Sequence, residues 1–249
     1  MDTRYHPSET PINRPALTVA AWDAPTRLFH WSLVATIASA WPSFEFAERL
    51  GDPTLRWHRY NGYAILTLIV FRVIWGFIGS STSRWSNFVR WPWHVLRYAR
   101  DQVSGIDRKF LGHNPLGTYM ILTLLAAVAA QAVLGLLVTE HNDTTWGPLY
   151  NLVPEALQKR VRTWHVMGLY WVILPLGIAH VLANSLYGLV KRDPVMRAMI
   201  TGRKPAEPYE DGSEAIIAQD VRLRALGTLL LAVALVFGGI KAFGGTLFY

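Results

Sequence analysis

Five long apolar segments limit the folds that this chain of 249 residues can adopt. Each segment has about 20 mostly apolar residues, the length that an α-helix needs to cross the hydrocarbon core of a bilayer. Charged residues make up only 16% of the chain, against about 25% in an ordinary soluble domain. We therefore predict an all-α membrane protein with transmembrane helices at Leu28 to Phe46, Trp57 to Ile78, Leu116 to Val138, Trp164 to Val190 and Ala225 to Phe243.

The polar segments between these helices divide the chain into four predicted regions. A polar tail at 1–25 precedes a four-helix transmembrane core at 26–203, and a polar linker at 204–221 leads to an extra C-terminal transmembrane helix at 222–249. The tail has no apolar stretch ahead of a small-residue cleavage site, so we expect no cleaved signal peptide. The first helix would then direct insertion itself.

Basic residues are distributed unequally between the two sides of the predicted bundle. Sixteen of the 24 Lys and Arg residues fall on the side of the N-terminus. Because cytoplasmic loops of membrane proteins carry the excess of positive charge, we predict a cytoplasmic N-terminus and a periplasmic C-terminus. The same distribution explains the net charge of +7 without a nucleic acid partner.

The chain contains no cysteine, which removes several kinds of redox centre. A disulfide, a thiolate-bound iron-sulfur cluster and a covalently attached c-type haem all require cysteine. Non-covalent b-type haem with imidazole ligands and histidine-bound metal ions remain open.

Four histidines lie within or at the ends of the apolar segments, where a titratable ring is costly unless it has a function. They are His30, His58, His165 and His180. His165 and His180 are fifteen residues apart on one predicted helix, or roughly 22 Å along its axis, so they should lie near opposite membrane faces. Depth in the membrane then pairs His30 with His180 on the cytoplasmic side and His58 with His165 on the outer side. We predict two bis-histidine sites, with hydrogen-bonded packing as the alternative.

The remaining histidines fall in polar or loop segments and are predicted to be surface residues. They are His6, His94, His113 and His141.

Glycines and arginines near the four histidines are candidates for contacts with a flat macrocycle. Three glycines lie on about the same helix face as a histidine and would leave room for a porphyrin, although close helix packing explains them too. They are Gly62, Gly168 and Gly177. Three arginines could pair with haem propionates. They are Arg27, Arg59 and Arg72; for Arg72, snorkelling to lipid headgroups is an equal alternative.

The fourth predicted helix needs a local distortion to bring its two histidines into line. Fifteen residues at about 100° each leave His165 and His180 about 60° apart around an ideal helix. Pro175 lies between them, and proline removes a backbone donor. We predict a kink or a π-turn between Tyr170 and His180.

Five motifs together resemble the bacterial cytochrome b561 family. They are WDAPTRLFHW (22–31), HRYNGY (58–63), FRVIWGFIGS (71–80), GHNPLG (112–117) and MITGRKP (199–205). The family consists of di-haem membrane cytochromes and includes the b-type subunits of nickel-iron hydrogenases. The resemblance implies two b haems held by histidines of the first, second and fourth helices, which map onto His30, His58, His165 and His180. In the family pattern the two histidines of the fourth helix are one residue closer together.

The resemblance predicts electron transfer in the bacterial inner membrane, between the quinone pool and a periplasmic cytochrome c or a dehydrogenase- or hydrogenase-type subunit. An alternative is a superoxide:ubiquinone oxidoreductase, whose outer haem would attract the superoxide anion through basic residues. Those residues would be Arg56, Arg59, Arg160 and Arg162. A histidine-based metal transporter or a haem-free scaffold is a third interpretation. The fifth helix lies outside the resemblance, and we expect it to dock a partner subunit or a second copy.

Overall fold

The computed structural model describes residues 17–139 and 145–247. The α-helices are α1 Ala24–Glu45, α2 Arg56–Ile78, α3 Trp85–Phe88, α4 Pro92–Val103, α5 Pro115–Leu137, α6 Glu155–Gly168, α7 Leu174–Lys191, α8 Val195–Thr201 and α9 Val221–Ala242. A π-helix, Leu169–Ile173, joins α6 to α7 without interruption. Two short strands, β1 Thr18–Ala20 and β2 Arg203–Pro205, pair antiparallel.

Four helices are long and apolar enough to cross a membrane, which confirms a multi-pass all-α membrane protein. They are Arg56–Ile78, Pro115–Leu137, Glu155–Lys191 and Val221–Ala242. The predicted C-terminal helix is therefore among them. The predicted first helix forms as α1, but it is not one of the four, since polar residues such as His30, Ser32 and Ser39 lower its mean hydropathy. A fifth transmembrane helix is not established by length and composition.

Local sequence explains where α1 and α5 begin. The Asp23 carboxylate accepts a hydrogen bond from the main-chain N–H of Thr26 at 2.7 Å, and the Asn114 side chain accepts one from Gly117 at the same distance. Both side chains satisfy donors that the first turn of a helix leaves free. A proline follows each cap in the first turn, where its missing N–H costs nothing.

Helix α2 lies at the centre of the bundle. Helix α1 runs antiparallel along it, with Phe29 against Phe71 near one end. Helix α9 packs on another side of α2 through buried Ala232, Val236 and Ile240, and α5 packs on it as well. The opposite faces of α7 and α9 expose leucines, as expected for helices that contact lipid.

The π-helix confirms the predicted departure from α-helical geometry. It starts at Leu169, one residue before the predicted window, and ends at Ile173. Pro175 follows in the first turn of α7. Because a π-turn contains an extra residue, it turns His180 relative to His165 around the helix axis.

The segment predicted as a linker packs against one end of the bundle, which we call the His30 end. Lys204 is 1% exposed, and its ammonium group lies 2.8 and 2.9 Å from the two carboxylate oxygens of Asp193. Asp211 accepts hydrogen bonds from the main-chain N–H groups of Leu111 and Gly112 at 2.6 and 2.8 Å. The segment is therefore fixed along the bundle, and the division of the chain into four regions stays a prediction.

Candidate haem sites

The four histidines form two pairs at opposite ends of the bundle. The ring centres of His30 on α1 and His180 on α7 are 6.5 Å apart. Those of His58 on α2 and His165 on α6 are 6.1 Å apart, at the end that we call the His58 end. Two imidazoles that bind one metal ion from opposite sides, with bonds of about 2 Å, have ring centres about 6 Å apart. Each pair therefore has the spacing needed to hold one iron between its rings.

Main-chain carbonyl groups orient both rings at the His58 end. The Nδ1 atom of His58 is 2.9 Å from the carbonyl oxygen of Ala40, and Nδ1 of His165 is 3.1 Å from that of Gln131. A carbonyl oxygen only accepts hydrogen bonds, so Nδ1 carries the proton in both rings. The Nε2 lone pairs are then available to a metal, an arrangement common among histidine ligands.

The pair at the His30 end has different neighbours. The Asn184 amide nitrogen lies 3.4 Å from Nδ1 of His180 and donates to the His180 carbonyl at 2.7 Å. Among the described residues, Nδ1 of His30 has no hydrogen-bond partner. Trp31 places its ring edge-on to His30, with centres 5.0 Å apart. No main-chain carbonyl fixes these two rings within the described part of the chain.

An apolar cavity lies at the His58 end of the bundle. It is enclosed by α1, α2, α5, α6 and the π-helix. Its empty volume is about 1300 Å³, which includes solvent space at the open mouth. His58 and His165 both line it, with Ile37, Phe44 and Ile173 among the apolar side chains. The cavity and the imidazole pair together fit a large, flat, apolar cofactor.

The glycines differ in the space around them. A Cβ atom at Gly62 or Gly177 would meet nothing within 4 Å, and Gly62 lines the cavity. At Gly168 the expected open space is filled, because a Cβ atom there would lie 2.4 Å from Oε1 of Gln131. Gly135 was not predicted, yet a Cβ atom on it would lie 3.0 Å from the His165 ring. Because Gly135 is on another helix, spacing along the chain gives no signal for it.

The three arginines occupy different positions. Arg72 is 3% exposed, donates to the Ser83 carbonyl at 3.2 Å and lies 4.2 Å from the centre of the Trp85 ring. Snorkelling of Arg72 to lipid is therefore wrong, because aromatic side chains cover its guanidinium group. Arg27 donates to the Ile200 carbonyl, and Arg59 lines the cavity. The pairing of all three arginines with haem propionates stays a prediction.

His113 does not lie on the surface as predicted. Its ring is half-buried between Trp22 and Phe88, with ring centres 4.6 and 4.9 Å away. Burial, together with the positive charges of Arg72 and Lys204, lowers the pKa of His113 to about 3. His94 is exposed, as predicted, and His6 and His141 lie outside the described residues.

Within residues 17–139 and 145–247, no three His, Asp or Glu side chains lie close enough together to form a metal site. The histidines that face each other do so as pairs.

Paired imidazoles inside an apolar helical bundle are the arrangement of a b-type membrane cytochrome. The chain belongs to the prokaryotic cytochrome b561 family, whose sequence model matches residues 21–202. Membership implies haem b as the cofactor and transmembrane electron transfer as the activity.

Several curated relatives carry the name "Probable Ni/Fe-hydrogenase B-type cytochrome subunit". The protein of Rhodobacter capsulatus is 26% identical over 226 residues, covering 77% of this chain and 83% of its own length. That of Rhizobium leguminosarum bv. viciae is 23% identical over 224 residues, covering 78% of this chain and 92% of its own length. The Azotobacter chroococcum protein is 24% identical over 218 residues, covering 76% of this chain and 89% of its own length. No solved structure matches the chain.

Proposed function

We propose that this protein carries electrons across the bacterial inner membrane through two b haems, one held by His30 and His180 and the other by His58 and His165. The observation that carries the proposal is the presence of two imidazole pairs at opposite ends of one bundle, with ring centres 6.5 and 6.1 Å apart. Histidines that served only helix packing would have no reason to pair ring to ring at the spacing of a bis-histidine site.

The membrane arrangement that we propose has five transmembrane helices. Helix α1 runs beside α2 for much of its length and brings His30 to His180, so it lies at the same depth as the apolar helices. The His30 end also carries most of the basic residues, which favours the cytoplasmic side for this end and for the N-terminus. The C-terminus then lies in the periplasm.

The side chains around each pair would hold and shield the cofactor. Haem b, held by such a histidine pair, would supply one-electron transfer. Ala40 and Gln131 orient the two outer rings through their carbonyl groups, and Ile37, Phe44 and Ile173 keep water from them. Gly62 leaves the space beside His58 open.

The partners that we propose are quinone on one side and a periplasmic redox protein on the other. The relatives are named as hydrogenase b-type subunits, which supports a hydrogenase-type subunit as the periplasmic partner; a cytochrome c is the alternative. Helix α9 packs on α2 with one face and exposes Leu223, Leu230 and Leu235 elsewhere. We propose this exposed surface for a partner subunit or a second copy of the chain.

One observation favours oxidation of superoxide as a second candidate function. Arg59 lines the cavity that contains the outer histidine pair, so a cation is present where an anion would enter. Stopped-flow mixing of the oxidised protein with superoxide tests this candidate. Haem reduction no faster than in the absence of superoxide would exclude it.

The main proposal is tested by counting haems in the purified protein. A pyridine haemochrome assay and a reduced-minus-oxidised spectrum should give two low-spin b haems per chain. His58→Ala and His30→Ala should each reduce the count to one, while His94→Ala, a change at an exposed histidine, should leave two. One haem in the unaltered protein would refute the two-site arrangement.

A further inference from the structure

We propose that Gln131 of α5 fixes the orientation and the tautomer of His165, and that residue 168 is glycine because it must admit the Gln131 amide. The inference rests on the proposed haem-ligand role of His165. It assigns a positioning function to α5, a helix that carries none of the four histidines.

Gln131 contacts His165 at two places. Its main-chain carbonyl oxygen lies 3.1 Å from Nδ1 of the His165 ring. Its side-chain amide nitrogen donates to the main-chain carbonyl of His165 at 2.7 Å. The two bonds hold both the ring and the backbone of His165 against α5, so rotation of the ring or sliding of α6 would break at least one of them.

The bond to Nδ1 has a chemical consequence for a metal on the other nitrogen. Since the carbonyl accepts, Nδ1 keeps its proton and Nε2 presents its lone pair to the cavity. A hydrogen bond from Nδ1–H also makes the imidazole a stronger electron donor, which stabilises ferric iron and lowers its reduction potential. The side-chain bond of Gln131 to the His165 backbone holds α6 at the distance from α5 at which this Nδ1 bond forms, so its loss should lengthen the Nδ1 bond and raise the potential of the haem at His165.

Gly168 completes the contact. It lies three residues after His165, so it faces α5 from about the same side of α6. A Cβ atom on Gly168 would be 2.4 Å from Oε1 of Gln131, well inside contact distance. An alanine at this position would displace the Gln131 amide and release the His165 carbonyl. The structure thus predicts that changes at residues 131 and 168 act on one contact.

The test compares Gln131→Ala, Gln131→Met, Gly168→Ala and the double variant Gln131→Ala with Gly168→Ala in the full-length holoprotein. Redox titration followed by visible absorption gives the two midpoint potentials, and low-temperature EPR gives the two low-spin ferric signals. Thr123→Val, which removes a hydroxyl at an exposed position of the same helix, is the matched control.

We expect the single variants at residues 131 and 168 to raise the potential of the outer haem and shift its EPR signal, with the inner haem unchanged. The double variant should equal Gln131→Ala alone, because the alanine removes the group that Gly168→Ala displaces. Gln131→Met keeps the side-chain volume and should still shift the outer haem. Loss of only the outer haem would also support the inference.

Three results would overturn it: an outer haem unchanged in Gln131→Ala, additive effects in the double variant, or equal effects of Gln131→Met on both haems. These results differ from a failure of the proposed function, in which the unaltered protein would lack two b haems.

Discussion

Lys204→Met should destabilise the His30 end strongly, because it leaves a buried carboxylate without its cation. Lys204 and Asp193 are 1% and 3% exposed in their side chains, and the ammonium group also donates to the Phe110 carbonyl at 2.9 Å. Removing one partner of such a buried pair costs about 3–5 kcal/mol. For a chain of this size, about 2–4 °C is lost per kcal/mol, so the melting temperature should fall by roughly 6–20 °C.

The assay is thermal unfolding of the holoprotein in detergent, followed by circular dichroism and by haem absorption. Lys204→Met combined with Asp193→Leu should recover most of the loss, because replacing both partners of a buried pair by apolar residues is often neutral. Lys241→Met, at an exposed site on α9, is the control. A melting temperature of Lys204→Met within about 1 °C of the unaltered protein would refute the reasoning, since surface changes have effects of that size.

Three further predictions follow from the geometry. Because the π-turn contains one extra residue, deleting Val172 should convert the π-helix to α-helix and leave His180 opposite His30, so the haem count should stay at two, and a count of one would contradict this account. Gly135→Leu should crowd the His165 ring, which a Cβ atom would already approach to 3.0 Å, and should remove the outer haem, whereas Val133→Leu on the exposed side should not. The pKa of His113 is lowered to about 3 in the folded protein. As the pH falls below about 6.5, the unfolded chain takes up a proton at this histidine before the folded chain does, so the free energy of unfolding should fall by at most about 1.4 kcal/mol per pH unit down to about pH 3. His113→Phe should flatten this dependence of stability on pH in melting experiments.

Both histidine pairs could be predicted from the sequence, because the depth of each histidine follows from its position along one apolar segment. An apolar segment of fixed length sets the depth of each histidine, so the facing of His30 with His180 and of His58 with His165 was within reach. The π-helix was predictable as well, since fifteen residues and a proline do not keep two histidines on one face of an α-helix. Their role as haem ligands stays a prediction that spectroscopy decides.

Contacts between helices were beyond such reasoning. Gln131 and Gly135 are 34 and 30 residues away from His165 along the chain, and no spacing rule connects positions on different helices. For the same reason Gly168 faces the Gln131 side chain, where open space was expected, and Arg72 lies buried against Trp85, where lipid was one alternative. The pairing of Arg72 with a propionate stays a prediction.

The sequence by itself determined the class of the protein, the position of its apolar helices, the absence of cysteine chemistry and the four histidines. These properties follow from hydrophobicity and helical periodicity, which act over a few turns of one chain segment. The tertiary structure alone decided which groups orient the rings, where space is open or filled, and that the polar segment at 204–221 is fixed to the bundle through Lys204 and Asp211. Those features depend on how helices pack in three dimensions, where a difference of one ångström decides whether a contact forms.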